Sequence, residues 1–340
     1  MQETRTTRRG VLGTAAGGLA AAGLGQLAGK LPQADAALIG EPQVSKGKTK
    51  VVVLGSQGGQ QMNQVTGANV RCGTSILIDV GGELTVLDCG CGSAHSLNEA
   101  GYDMNKVRRI VITHFHMDHV SDLSSFASFA WSSGRNGLDP DRRLDIYGPK
   151  GTKLYESGMK KALSISIADQ EGPLGQVPTF GEYARWHQID PRPKHRTVFS
   201  DDTISATAVR VNHGTVPAVG YRIRTADLDM VFSGDRGAKG DGFIKFATGA
   251  DVLFHEILNR DIVIPVLEAQ GQSKTFIEHL VNDHSDPKAV GHVATKAGVP
   301  NLVLYHLIPG SPAVADPVWK ASILPYYRGN VIVARDQLVV

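Results

Sequence analysis

Residues 113–119 read Thr113-His114-Phe115-His116-Met117-Asp118-His119, or THFHMDH. Three imidazoles and a carboxylate within seven positions are a dense set of the donor types that zinc takes. The residues before them, VRRIVIT from Val107, are strand-like, and those from Val120 to Trp131 have helical character. The cluster therefore stands at the carboxyl end of a strand, where α/β folds place their sites. His114 and His116 are two apart, and strand alternation would put both side chains on one side to share an ion. Asp118 and His119 fall at the start of the next helix and can turn toward a second ion. A chain with 12 histidines can produce such a cluster by accident, so the rest of the sequence decides its meaning.

Strand patterns outnumber helical ones in both halves. VVVLG (51–55) reads as a buried strand, and SILIDV (75–80) and LTVLDC (84–89) flank a Gly81-Gly82 turn as a hairpin. Further strands are expected at 144–147, 203–211, 219–223, 230–233, 251–255 and 302–305, with helices at 93–100 and 286–297. Residues 172–181 and 191–193, punctuated by Pro and Gly, read as an inserted loop region. The pattern implies an α/β fold, an αββα sandwich of two mixed β-sheets with helices on the outer faces, one domain over residues 50–340 in two similar halves.

Three more ligand types recur at expected strand ends: His213 in VNHGTVPAVGYRI, Asp235 in VFSGDR and His306 in LYHLIP. With these, the chain resembles the metallo-β-lactamase superfamily, whose hallmark is H-x-H-x-D-H followed by a distant His, an Asp and a final His. The resemblance implies that His114, His116 and His213 hold a first ion, that Asp118, His119 and His306 hold a second, and that Asp235 bridges both. Two zinc ions are expected, with manganese or iron as alternatives. Five ordered segments, VVVLGSQGG, SILIDVGGELTVLDCG, LDIYGPKG, DVLFHEIL and HSDPKAVGHVATKAGVPNLVLYH, are similar to the ribonuclease Z and aryl sulfatase branch. That branch implies a proton-donor role for His284, beside the catalytic Asp118, and a supporting role for the buried pair His255 and Glu256. His95, His187, His195, His279 and His292 read as ordinary histidines.

The first residues carry a different signal. Arg8 and Arg9 precede a weakly apolar Ala/Gly/Leu run that ends in Ala34-Asp35-Ala36. This looks like a twin-arginine export leader over residues 1–36, cleaved near Ala36 and followed by a linker over residues 37–49. The glycine-diluted run is a poor match to a spanning helix. Expected partners are the twin-arginine machinery and a small-molecule substrate, in a periplasmic or secreted setting, with a homodimer left open. Loss of Arg5, Arg8, Arg9 and Lys30 against Glu3 and Asp35 removes four bases and two acids, so the formal charge of +2 falls to zero. That balance gives no compositional ground for a nucleic-acid partner, and the basic stretch 191–196 reads as a solvated loop. Cys72, Cys89 and Cys91 make an odd count, which is no disulfide framework but leaves one bridge open; buried free thiols are the alternative.

A metal pair lowers the pKa of water from 15.7 to about 7, so the expected reaction class is hydrolysis. His213 and Asp235 stand only 22 positions apart, which leaves no room for the long arm with which ribonuclease Z enzymes grip tRNA. The expected substrates are small esters, aryl sulfate or phosphate esters including phosphodiesters. A lactonase or β-lactamase-like hydrolase is the alternative, and a ribonuclease Z-type endonuclease or a non-hydrolytic iron protein comes after it. SGDR and SDP stand where many relatives have GDT and STA.

Overall fold

A computed structural model describes residues 47–59, 71–133, 143–192, 195–238 and 240–340 of the chain. The expected export leader and most of the linker lie outside these residues. Among the described residues no helix is long and apolar enough to cross a membrane.

Two sheets form. The first contains β1 (Thr49–Gly55), β2 (Ser75–Val80), β3 (Glu83–Leu87), β4 (Val107–Val111), β5 (Leu144–Gly148) and β6 (Ala184–Gln188), in spatial order β1-β2-β3-β4-β5-β6. The second contains β7 (His195–Ser200), β8 (Ile204–Val211), β9 (Ala218–Thr225), β10 (Asp229–Phe232), β11 (Val252–Leu258), β12 (Asn301–Ile308) and β13 (Asn330–Val333), in order β13-β12-β11-β10-β9-β8-β7. Each begins with antiparallel hairpins and continues with parallel strands. The parallel pairs are joined by helical crossovers, which is how parallel neighbours are connected.

Burial follows this plan. In β1, Val51 and Val53 face the second sheet and pack with Phe232, Phe254 and Tyr305, whereas Val52 and Leu54 face the outer helices. β11 and β12, central and covered on both faces, are apolar and buried almost throughout, while β8 alternates. The helices named below are α1 (Ser93–Glu99), α2 (Met117–Val120), α3 (Leu123–Ser133), α4 (Thr152–Ala162), α5 (Ser164–Glu171), α6 (Phe180–Tyr183), α7 (Gly242–Ala247), α8 (Arg260–Ala269), α9 (Lys274–Asp283), α10 (Pro287–Ala297) and α11 (Asp316–Ile323). Leu97, Leu123, Phe126 and Trp131 of α1 and α3 cover the first sheet; Phe243, Val290, Val293 and Trp319 of α7, α10 and α11 cover the second. The result is the expected αββα sandwich. α10 is delimited by residues suited to its ends, with the Asp286 side chain accepting from Ala289 N–H, proline at its first position and Gly298 at φ 65 after its last turn.

Some expected boundaries change. The helix expected from Val120 to Trp131 breaks into α2 and α3, because Asp122 turns its own N–H to Cys89 O and its carboxylate to Ala94 N–H. Part of the expected loop 172–181 is α6, closed by a capping box between Thr179 and Glu182. His195 and Arg196, expected in a loop, begin β7. Cys72, Cys89 and Cys91 form no disulfide.

Phe232 stacks on Phe254 with centroids 4.6 Å apart between the sheets. Phe232→Ala should cost about 3–5 kcal/mol in urea unfolding, whereas Ile165→Ala, on a side chain 86% exposed, should stay within about 0.5 kcal/mol. Equal costs at the two positions would contradict this assignment of the core.

Candidate metal centre

The backbone leading into THFHMDH is tied to both sheets before the first histidine. The Tyr221 hydroxyl donates to Ile112 O at 2.8 Å, and Val219 N–H donates to Thr113 O at 3.0 Å. Thr113 gives its N–H to Asp88 Oδ1 and its hydroxyl to Asp88 Oδ2, both at 2.8 Å. Because a carboxylate and not a neighbouring strand takes the Thr113 N–H, strand pairing stops. His114 and His116 therefore stand in a loop at the carboxyl end of β4 as expected, although the strand stops at Val111, two residues before the expected Thr113. Asp118 and His119 begin α2 as expected. Phe115 packs on Tyr155, with centroids 5.5 Å apart, and lies against Gly148 and Gly151.

His213 follows β8 and Asp235 follows β10, both as expected. Gly234 precedes Asp235 at φ +57, and a Cβ there would fall 2.7 Å from Val219 O, so only glycine fits the turn. His306 departs from expectation. It lies within β12 as the extra residue of a bulge, where Glu256 pairs with Tyr305 and Ile257 with Leu307, at φ 46. The bulge re-aims its ring toward the other ligands.

These seven side chains converge. His114 Nε2 and His213 Nε2 lie 3.0 and 3.1 Å from His116 Nδ1. Asp118 Oδ2 lies 3.2 Å from His306 Nε2 and 3.6 Å from His119 Nε2. Asp235 Oδ2 stands between the groups, at 3.2 Å from His306 Nε2, 3.3 Å from His119 Nε2, 3.7 Å from His114 Nε2 and 3.8 Å from His213 Nε2. Donor atoms around one tetrahedral zinc, each about 2.0–2.1 Å from it, stand roughly 3.3 Å apart. Two metal-capable groups that share Asp235 follow, His114-His116-His213-Asp235 and Asp118-His119-His306-Asp235, and a third, Glu256-His284-His306, adjoins the second through His306.

Their hydrogen bonds fit the same purpose. His213 Nδ1–H donates to Asp283 O at 2.9 Å and His119 Nδ1–H to Asp88 Oδ2 at 2.8 Å, which leaves each Nε2 lone pair facing the cluster. Among the described residues, His119 Nε2 and Asp235 Oδ1 are buried without a hydrogen-bond partner. Buried polar atoms are rarely left so, and a cation answers both. Burial pushes the His114 and His116 imidazoles down, toward the neutral ligand form. Burial opposes ionisation of Asp118 and Asp235, but the surrounding histidines outweigh it and hold both below the usual carboxylate range. The donor set thus suits a divalent ion in each group.

His284 lies beside both groups, its ring stacked on His306 at 5.5 Å and edge-on to His213 at 5.2 Å. Its Nδ1 faces Glu256 Oε2 at 3.3 Å, and Glu256 Oε1 accepts from Ser285 N–H at 2.6 Å. Burial would lower this imidazole, but Glu256, Asp235 and Asp118 outweigh it and raise it to about 9. His255 and Glu256 are bonded side chain to backbone, His255 Nδ1–H donating to Glu256 O at 2.7 Å. Strand alternation sends the His255 ring to the other face, where burial and then Arg236 lower it to about 3 and Arg236 Nη1 donates to its Nε2 at 3.3 Å. The buried Arg236 guanidinium, in the unusual SGDR position, lies 4.9 Å from the Phe243 ring centroid. His95 and His279 pair on the surface with Glu99 and Asp283.

A family model described as the Anti-Pycsar protein Apyc1 matches residues 64–263, more than half of the chain. The chain belongs to that family. The matched span includes six of the seven clustered ligands, with His306, like His284, beyond it. The Ribonuclease Z of Mycolicibacterium gilvum is 29% identical over 268 residues, 78% of this chain and 88% of its own length. The metallo-β-lactamase fold protein YhfI from Bacillus subtilis superposes with a TM-score of 0.62 at 20% identity, covering 86% of this chain and 98% of that one. The short form of human tRNase Z superposes at 0.58 and 20% identity, over 86% of this chain and 98% of its own. The metallo-β-lactamase fold is therefore that of this chain.

Sequence patterns did not single out Asp88, although it stands at the end of β3, level with THFHMDH. Asp88→Asn keeps an acceptor for Thr113 N–H and tolerates the left-handed φ of 56, but offers His119 Nδ1–H no second oxygen. It should weaken zinc binding to the His119 group by about 10–100-fold in a chelator-competition titration. Unchanged binding would remove the orienting role of Asp88.

Proposed function

We propose that the protein is a divalent-metal hydrolase of phosphodiesters, small ones in preference to tRNA precursors. The observation that carries this is the Asp235 Oδ2 atom, 3.2–3.8 Å from four imidazole nitrogens that belong to two groups. His114, His116 and His213 would hold one ion, Asp118, His119 and His306 the other, and Asp235 both. Bound ions supply a nucleophile from water at neutral pH and positive charge for the phosphoryl oxygens. The chain supplies the rest. Asp118 and Asp235 offset the added positive charge, and the buried walls keep the ligands rigid and keep bulk water from them. His284 carries a proton, with Nδ1–H directed to Glu256, so that Nε2–H is free to protonate the departing oxygen.

The phosphodiester choice is supported by curated relatives called Ribonuclease Z, which span most of the fold. Small substrates are favoured because β9 and β10 occupy most of the interval between His213 and Asp235, with only a short turn between them. The phosphate arm of the sequence expectation is thus preferred over aryl sulfate on the names of these relatives. In this reading the Arg8-Arg9 leader would deliver a folded, metal-loaded enzyme to the periplasm or medium.

A panel of bis-aryl phosphate, aryl sulfate, homoserine lactone, cephalosporin and precursor tRNA tests the proposal on zinc-loaded protein. The diester should be hydrolysed fastest, and cleavage confined to the lactone, the cephalosporin or the tRNA would overturn it. His284→Ala should lower kcat about 10²–10⁴-fold with both metals retained. The imidazolium is present below its pKa and lost above it, so wild-type kcat should fall on the basic side of the profile, and this basic limb should vanish in His284→Ala. Release of metal from that variant would instead make His284 a ligand.

A further inference from the structure

We infer that Asp336, in the C-terminal segment, is a positioning residue for the second metal-capable group. Its carboxylate clasps both ends of the 56–72 segment. Oδ1 accepts from Ser56 N–H at 3.0 Å and from the Ser56 hydroxyl at 2.7 Å, while Oδ2 accepts from Cys72 N–H. Arg71 Nη1 reinforces the clasp, donating to Ser56 Oγ and to Ala334 O, each at 2.8 Å. Asp336 is itself held because the residues after it run along β1: Gln337 N–H donates to Val53 O at 2.8 Å and Val340 N–H to Val51 O at 2.9 Å.

What the clasp delivers lies three residues beyond Ser56. Gly59 N–H donates to Asp118 Oδ2 at 2.9 Å, and this oxygen is the one aimed at His306 and His119. Gly58 lies flat on the His306 ring, where a Cβ would be 2.4 Å from Nδ1. Gly58 N–H donates to Leu307 O at 3.1 Å and Leu307 N–H to Ser56 O at 3.0 Å, so the turn is stitched to the bulge that carries His306. Two ligands of one group, Asp118 and His306, thus touch Gly58 and Gly59, which follow the Ser56 held by Asp336. The other group has no such contact with this turn among the bonds described here. Asp336 therefore acts on one ion site through the Gly58-Gly59 turn.

The inference rests on the two-metal reading, and the experiment separates the two. Metal-free full-length protein is titrated with zinc against a chromophoric chelator, and amide exchange is followed over residues 51–59. Asp336→Ala should weaken one of two zinc sites at least about tenfold, leave the other unchanged and speed exchange over Ser56–Gly59, with Asp336→Asn intermediate. Asp229→Ala, which removes a carboxylate bonded to Arg222 and Arg224 at the far end of β10, controls for general loss of stability and should keep both affinities. Wild-type affinity at both sites in Asp336→Ala, or equal weakening of both, overturns the inference. If the wild type binds no zinc, the two-metal reading fails, and unchanged exchange in Asp336→Ala then overturns the clasp itself.

Discussion

A single carboxylate oxygen, Asp235 Oδ2, faces four imidazoles from three separate segments of the chain, and the site is arranged around it. Asp235 is 2% exposed, and its other oxygen has no hydrogen-bond partner. An isolated buried carboxylate is costly to desolvate, and positive charge beside it, on an imidazole such as His119 or on ions held among the ligands, offsets that cost. The close approach of ligand atoms that would otherwise repel is the physical reason to regard this cluster as a metal centre and not a hydrogen-bonded core.

The fold brings these groups together through three strand ends and one bulge. His213 and Asp235 follow strand ends, THFHMDH follows a strand cut short by Asp88, and His306 sits on a bulge in a fully buried strand. Rigid elements behind each ligand limit its freedom, and the surrounding hydrogen bonds choose which ring nitrogen faces inward. Behind His284, Glu256 does the same for the proton donor, and Arg236 occupies the adjoining buried space with a charge of opposite sign.

Much of this was legible in the sequence, for identifiable reasons. The ligands declare themselves by residue type and order, and strands such as SILIDV and NLVLYHLI by apolar runs. β7 did not, because it is an edge strand with no buried residue and so carries no alternation. β6 and β13 are short, and Arg185 and Gln188 interrupt the apolar pattern of β6. The roles of Asp88 and Asp336 were out of reach on other grounds. Asp88 bonds Thr113 across 25 positions, and Asp336 bonds Cys72 and Ser56 across 264 and 280. No local pattern encodes partners so distant, and only the closed sandwich makes them neighbours. The early end of β4, two residues before Thr113, has a related cause: the Asp88 carboxylate, just past β3, takes the N–H that would have prolonged the strand.

The central claim is that Asp235 lies between two ions. Anomalous diffraction from zinc-loaded crystals, measured on both sides of the zinc absorption edge, addresses it directly. The account expects two peaks about 3.5–4 Å apart, one within the His114, His116 and His213 group and one within the Asp118, His119 and His306 group, with Asp235 between them. A single peak, or peaks away from Asp235, would contradict it.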